Sequence, residues 1–220
     1  MSSLYLLRHG QASFGADDYD RLSPLGLRQA LSSGASLAAR DLYFDQVLVG
    51  PRRRHFETAE ALLAAMPGAS ETRRVEALDE FAEGGALLRS ARRRLGEANW
   101  PQDPAARTRL YGEEIRRWAA GAEDIADCTP VEPFQRTVCG WLDELISQPA
   151  KGRRLLAVTS AGTIAVLVAH VLGLPRTRVA ELLLVLDNAA LSELVFQPGR
   201  VSLRSFSSTH HLPPDLTSRI

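Results

Sequence analysis

Arginine, histidine and glycine stand together at Arg8, His9 and Gly10, directly after the apolar run Leu4-Tyr5-Leu6-Leu7. A buried strand would carry that run and deliver the three residues into the turn beyond its carboxyl end, where ligands of open α/β sheets sit. Arg8 offers a planar fork of donors that matches phosphate oxygens. His9 offers a ring nitrogen that is largely neutral and nucleophilic near pH 7, and Gly10 lets the backbone approach closely. An isolated Arg-His-Gly tripeptide also reads as a solvated arginine and a surface histidine in a loop, so this chemistry needs support elsewhere in the chain.

A second segment of the same kind supplies it. After Val47-Leu48-Val49 come Gly50, Pro51, Arg52, Arg53, Arg54, His55, Phe56, Glu57, Thr58 and Ala59, again strand, turn and helix start. Arginine at a helix start opposes the positive end of the macrodipole, so three in a row are costly unless an anion compensates them. A bound phosphate would do so, while Arg52 and Arg53 also read as a solvated basic patch.

Together the two segments resemble the histidine phosphatase superfamily, the phosphoglycerate-mutase-like group, and the likeness runs over most of the chain. That family opens with strand-Arg-His-Gly, and its second motif is roughly Ser-Pro-Leu-x-Arg-Ala-x-Gln-Thr-Ala, which residues 50–59 fit with substitutions. The resemblance makes His9 the nucleophile and Arg8 and Arg54 the phosphate-binding arginines. Leu22-Ser23-Pro24-Leu25 resembles the start of the family's first helix, with Ser23 as N-cap and Pro24 in the first turn. Leu78-Asp79-Glu80-Phe81 resembles the segment carrying the acid that protonates the leaving group, so that acid is Glu80.

The fourth motif departs from the family. Where the family commonly reads Val-Ser-His-Gly-Gly-Thr-Ile, this chain reads Val158-Thr159-Ser160-Ala161-Gly162-Thr163-Ile164, and Ser160 stands in place of a second active-site histidine. By position, Ser160 and Ala161 join the phosphate-binding residues. His55 is the nearer candidate for a replacement donor, although neighbouring helix residues point in different directions. His170, on an apolar helix, reads as a core or surface histidine.

Composition fits a folded chain with a full core: 220 residues, 45% hydrophobic, and 26 cationic against 26 acidic residues. The balanced charge argues against nucleic acid or an anionic membrane as the main partner. Two cysteines, Cys128 and Cys139, fit neither a zinc nor a redox spacing, which points to a reducing compartment and cytoplasmic residence. Leu155 to Leu174 carries no charged residue, yet Thr159-Ser160-Ala161-Gly162-Thr163 divides it into a strand and a capped helix rather than a membrane span. No metal ligand set is recognisable, because His210-His211 lack ligand spacing and no carboxylate pair accompanies them.

The alternation of apolar runs predicts a three-layer α/β/α sandwich with a mostly parallel central sheet, as one domain over 1–220 with a helical insert at about 85–150. Arg73-Arg74-Val75 is expected as the third strand, with Leu182–Asp187, Leu191–Phe196 and Val201–Phe206 as closing strands, the last two joined around Pro198-Gly199. Phe134, Val138, Trp141, Leu142, Leu145 and Ile146 trace one face of a helix after Pro133. Arg89, Arg92, Arg93 and Arg94 read as a solvated helix face, with contact to an anionic substrate as the alternative. The apolar closing strands offer an edge for a homodimer.

What the resemblance implies is a phosphomonoesterase that needs no cofactor and acts on a small phosphorylated substrate through a phosphohistidine at His9. The serine replacement implies reduced or specialised activity. Two alternatives stand beside this reading: a non-catalytic relative that binds a phosphate ligand or inorganic phosphate, and a phosphoglycerate-type mutase.

Overall fold

A computed structural model describes residues 1–13, 20–66, 68, 71–148 and 152–219. Six strands form one sheet: β1 (Ser2–Arg8), β2 (Gln46–Val49), β3 (Glu71–Arg74), β4 (Arg154–Thr159), β5 (Leu191–Gln197) and β6 (Arg200–Ser208). Their order is β3-β2-β4-β1-β5-β6, with β3, β2, β4 and β1 mutually parallel and β5 antiparallel to both β1 and β6. The expected sandwich is therefore present, with two strands added to the parallel part through β5. The β5–β6 hairpin turns at Pro198-Gly199, where Gly199 takes a positive φ of 74°.

Both sheet faces are buried, which explains why the inner strands read as continuous apolar runs rather than alternating ones. Leu7, Val47, Val49, Leu156 and Val158 pack with Leu37, Ala59 and Leu62, beneath α1 (Pro24–Ala38) and α2 (Arg53–Ala64). Leu4, Leu6, Leu48, Leu155 and Ala157 face the opposite layer, which holds α5 (Val131–Ser147), α6 (Ala161–Val171) and α7 (Val179–Leu184). Residues 155–174 divide into β4 and α6 as the sequence implied, and no helix among the described residues is long and apolar enough to cross a membrane.

Three expectations need correction. Leu182–Asp187 is not a strand: Leu182–Leu184 complete α7 and the chain then turns, because this leucine-rich run buries Val179, Ala180 and Leu183 against α6 and α4 (Pro104–Ala120). The third strand sits slightly earlier than expected, at Glu71–Arg74, and all four of its residues are exposed. The helix expected after Pro133 begins at Val131, since proline is tolerated in a first turn. Its face is as read, with Phe134, Val138, Leu142 and Ile146 buried. Within the expected insert, α3 (Ala86–Leu95) packs on α4, while α5 packs on α6; residues 149 and 150 lie outside the described residues.

Ser23 caps α1, its Oγ accepting from the Gly26 amide at 3.0 Å, with Pro24 in the first position. That first turn leans on the Arg8-His9-Gly10 loop without side chains between them: a Cβ on Gly10 would fall on the Gly26 carbonyl, and a Cβ on Gly26 on the Gln11 carbonyl. Helix propensity alone would make Gly26→Ala stabilising by up to about 1 kcal/mol. The backbone contact reverses the sign, and urea denaturation of Gly26→Ala should show a loss of about 1–3 kcal/mol from overpacking.

Candidate active site

The turn after β1 is held from three sides. The His9 amide donates to the Thr159 carbonyl at the end of β4 (2.9 Å), the Ala189 amide donates to the His9 carbonyl (3.2 Å), and the Gly10 amide donates to Thr58 Oγ1 on α2 (3.1 Å). Thr58 Oγ1 donates in turn to the Arg54 carbonyl (2.6 Å), so one hydroxyl ties the histidine turn to the helix that carries the second arginine. His9 is buried, and its Nδ1 lies 2.7 Å from the Gly10 carbonyl. A carbonyl accepts only, so Nδ1 carries the proton and Nε2 presents a lone pair.

Arg54 is 2% exposed and reaches that lone pair, with Nε donating to His9 Nε2 at 3.1 Å. Its Nη1 pairs with Asp20 Oδ1 (2.5 Å), and its Nη2 lies 3.4 Å from Ser160 Oγ. Arg8 Nη1 donates to the carbonyls of Leu186 (2.5 Å) and Arg219 (3.0 Å). Glu80 Oε2 accepts from the Gly162 amide at 3.3 Å, and Glu80 Oε1 from the Phe81 amide at 2.9 Å. Gly162 must be glycine here, because a Cβ would run into the Glu80 carboxyl and the Phe81 ring.

Arg8, His9, Arg54, Glu80 and Ala161 all border one cavity of about 600 Å³. Ser160 does not: it is fully buried behind Arg54, and its Oγ lies 2.7 Å from His55 Nε2. His55 is itself fully buried, with its ring centroid 5.6 Å from that of His9. Of the four arginines on α3, Arg92 borders the cavity, while Arg93 pairs with Asp127 and Arg94 with Glu114. His170 lies on the surface beside Asp143 at 3.0 Å, apart from the cavity.

Carboxylates compensate the cationic helix start where the sequence called for an anion. Asp20 Oδ2 accepts from the Arg53 amide (2.9 Å), capping α2 from another loop, and Arg52 pairs with Asp79 and Glu83. Arg52 is thus not a solvated basic residue; its side chain is 16% exposed. Asp20 and Asp79 escaped the sequence reading. The one signal for them was sign complementarity between nearby acids and a run of arginines.

A family model described as "Histidine phosphatase superfamily (branch 1)" matches residues 4–209. The chain belongs to that superfamily. It is 25% identical over 219 residues to the serine/threonine-protein phosphatase PGAM5, mitochondrial, of Mus musculus, and 24% identical to that of Homo sapiens. These matches cover 98% of this chain and 66% and 65% of those relatives, so the chain spans slightly under two thirds of their length. Among solved structures it resembles phosphoserine phosphatase from Entamoeba histolytica in complex with 3-phosphoglyceric acid. There the TM-score is 0.69 with 20% identity, covering 97% of this chain and 100% of that one. Mycobacterial glucosyl-3-phosphoglycerate phosphatase follows with a TM-score of 0.67 at 22% identity, covering 94% and 98%. At these identities the structural matches show the fold.

Within this member of the histidine phosphatase superfamily the electrostatics divide the site. Burial, followed by the Arg54 and Arg8 charges, holds His9 well below its ordinary pKa, so its imidazole is neutral. His55 is pushed down in the same way by burial and by Arg54 and Arg52. Glu80 moves upward because burial outweighs the opposing amide hydrogen bonds and the two cavity arginines. The pocket thus holds a neutral base on the sheet and a carboxyl that keeps its proton to higher pH than usual.

The crowding behind Arg54 sets an expectation for restoring a histidine at position 160. With His55 at hydrogen-bonding distance and no surface at either residue, Ser160→His should destabilise by about 1–3 kcal/mol through overpacking. His55→Ala in the same chain should relieve much of that loss. Thermal melts of the two variants check both statements.

Proposed function

We propose that this chain is a phosphomonoesterase acting through a phosphohistidine at His9, in which guanidinium groups supply the positive charge around the transferring group. The observation that carries this reading is the tautomer of His9: its Nδ1 proton is committed to the Gly10 carbonyl while Nε2 meets Arg54 at the cavity. A phosphate binder has no need of an oriented imidazole lone pair or of a carboxyl whose pKa is raised beside it.

In this reading Nε2 attacks phosphorus in line while Arg8 and Arg54 hold the equatorial oxygens. The bond to the leaving oxygen breaks as Glu80 delivers its proton there. Glu80, now a carboxylate, takes a proton from water, whose oxygen displaces His9 from phosphorus and releases inorganic phosphate. Both arginines also serve protein groups, with Arg8 on the Leu186 and Arg219 carbonyls and Arg54 on Asp20. That engagement is what favours the second reading, a relative that binds a phosphate ligand without turnover. The cytoplasm as location belongs to the same proposal and rests on two cysteines that are both free.

The cavity informs the substrate. About 600 Å³ is several times what a phosphoryl group fills, and beyond the arginines the walls include the apolar Phe81, Leu87, Leu88, Trp100, Leu183 and Leu184 beside the polar Gln11, Glu83, Gln102, Thr108 and Asn188. Arg92 and Arg107 lie over the Trp100 ring at 5.6 and 5.9 Å, and all three border the cavity. A monoester with a bulky apolar or aromatic leaving group suits this space better than phosphoglycerate.

Turnover of naphthyl phosphate should exceed that of 3-phosphoglycerate, withstand EDTA and vanish in His9→Ala. Survival of activity in that variant would refute the nucleophile.

The pKa directions set the pH profile. His9 loses its lone pair only below its lowered pKa, so the acid limb of kcat/KM lies below about 6.5. Glu80 must hold its proton, so the alkaline limb falls as pH rises through its raised value, which lies above the ordinary carboxylate range. Glu80→Gln should remove the alkaline limb and slow alkyl phosphates more than aryl phosphates, whose leaving oxygen needs no proton. A pH series on one ester of each kind measures this.

A further inference from the structure

Behind the cavity lie three residues that differ from the family motifs, Gly50, His55 and Ser160, and they interlock. His55 lies on α2 directly after Arg54 and turns inward, fully buried. The space for its ring exists because residue 50 has no side chain: a Cβ there would strike both the imidazole and the Leu78 carbonyl. The ring is anchored by the 2.7 Å contact between Nε2 and Ser160 Oγ, while its buried Nδ1 turns to the Gly50 backbone carbonyl in a hydrogen bond of poor geometry. Ser160 Oγ also faces Arg54 Nη2 at 3.4 Å, a contact in which the guanidinium can only donate.

We propose that His55 and Ser160 form one positioning unit for Arg54, bracing the inner side of its guanidinium as Asp20 braces the outer side. The second histidine of the family motif is thus exchanged for a histidine that enters from α2 and acts through Ser160, without touching substrate. The unit sits behind Arg54 rather than on the cavity wall, so its effect reaches the phosphoryl group only through the arginine. Asp20 Oδ1 on Nη1 and His9 on Nε fix two corners of the planar group, and Ser160 fixes the third. A fork held at three corners loses less freedom when it closes on phosphate oxygens.

The proposal rests on the reading of Arg54 as a phosphoryl-binding group and not on turnover, so the primary measurement is orthovanadate affinity by calorimetry. His55→Leu and Ser160→Ala should each weaken vanadate binding about tenfold and lower kcat/KM on an aryl phosphate by a similar factor. His55→Gln, whose amide nitrogen can reach Ser160 Oγ, should bind within about threefold of wild type. Because both residues act through one contact, the double variant His55→Leu/Ser160→Ala should cost no more than either alone. Equal losses in the leucine and glutamine variants, additive losses in the double variant, or unchanged vanadate affinity would each overturn the proposal. Should His55→Leu fail to fold, Ser160→Ala and His55→Gln still decide it, since the first must weaken binding and the second must not. Wild-type protein that binds vanadate but hydrolyses no monoester sinks the phosphatase reading and leaves this one standing. Hydrolysis through His9, with vanadate binding unaltered in Ser160→Ala, sinks this one alone.

Discussion

A permanent positive charge sealed at 2% exposure is the constraint on which the rest of the site depends. Arginine cannot shed its proton when buried, so Arg54 must be met by a countercharge and by acceptors for its remaining N–H groups. Asp20 gives the countercharge from the loop before α1, His9 an acceptor from the end of β1, and Ser160 another at the start of α6. Satisfying one guanidinium therefore fixes three separate segments relative to α2. Its charge also adds to burial in holding both buried imidazoles neutral, and it offsets part of what burial does to Glu80. Removing the charge would unsettle packing and chemistry together, as breaking one side of a buried pair generally does.

The elements that proved legible carry their instructions locally. Leu4–Leu7 and Val47–Val49 are apolar on both faces because both faces are buried, and Ser23-Pro24 announces a helix start through a cap made within three residues. Leu182–Asp187 misled because a short leucine run has the same apolar content in a strand and in a helix. Contact with α6 and α4 decides between them, and the sequence does not display that contact. The site divides along the same line. Arg8, His9, Arg54 and Glu80 could be named by type and motif, whereas Asp20 and the His55–Ser160 contact join residues 34 and 105 positions from their partners. His55 reads in the sequence as the nearer candidate for a replacement donor, with helix geometry against it because neighbouring residues point in different directions; it reaches the same buried space as Arg54 because Gly50 leaves room for it.

In the proposed mechanism the acid, Glu80, and the nucleophile, His9, are hung from different parts of the molecule. His9 belongs to the sheet, tied to β4 and to the turn before β5 by backbone hydrogen bonds that no side-chain change removes. Glu80 depends on Phe81, which stacks on Trp118 of α4 at 3.9 Å and meets Phe134 of α5 edge-on, while its carbonyl accepts from the Thr129 amide at 2.7 Å. Glu80 is thereby seated against α4, which also lines the cavity through Tyr111. In the proposed mechanism a change in α4 that reshapes the cavity also shifts the carboxyl that would protonate the leaving oxygen. The hydrogen bonds that hold Arg8, His9 and Arg54 run instead to Leu186, Arg219, Gly10, Asp20 and Ser160. In the proposed mechanism leaving-group space and leaving-group activation are therefore coupled through α4, whereas the groups that would hold the phosphoryl lean on other segments.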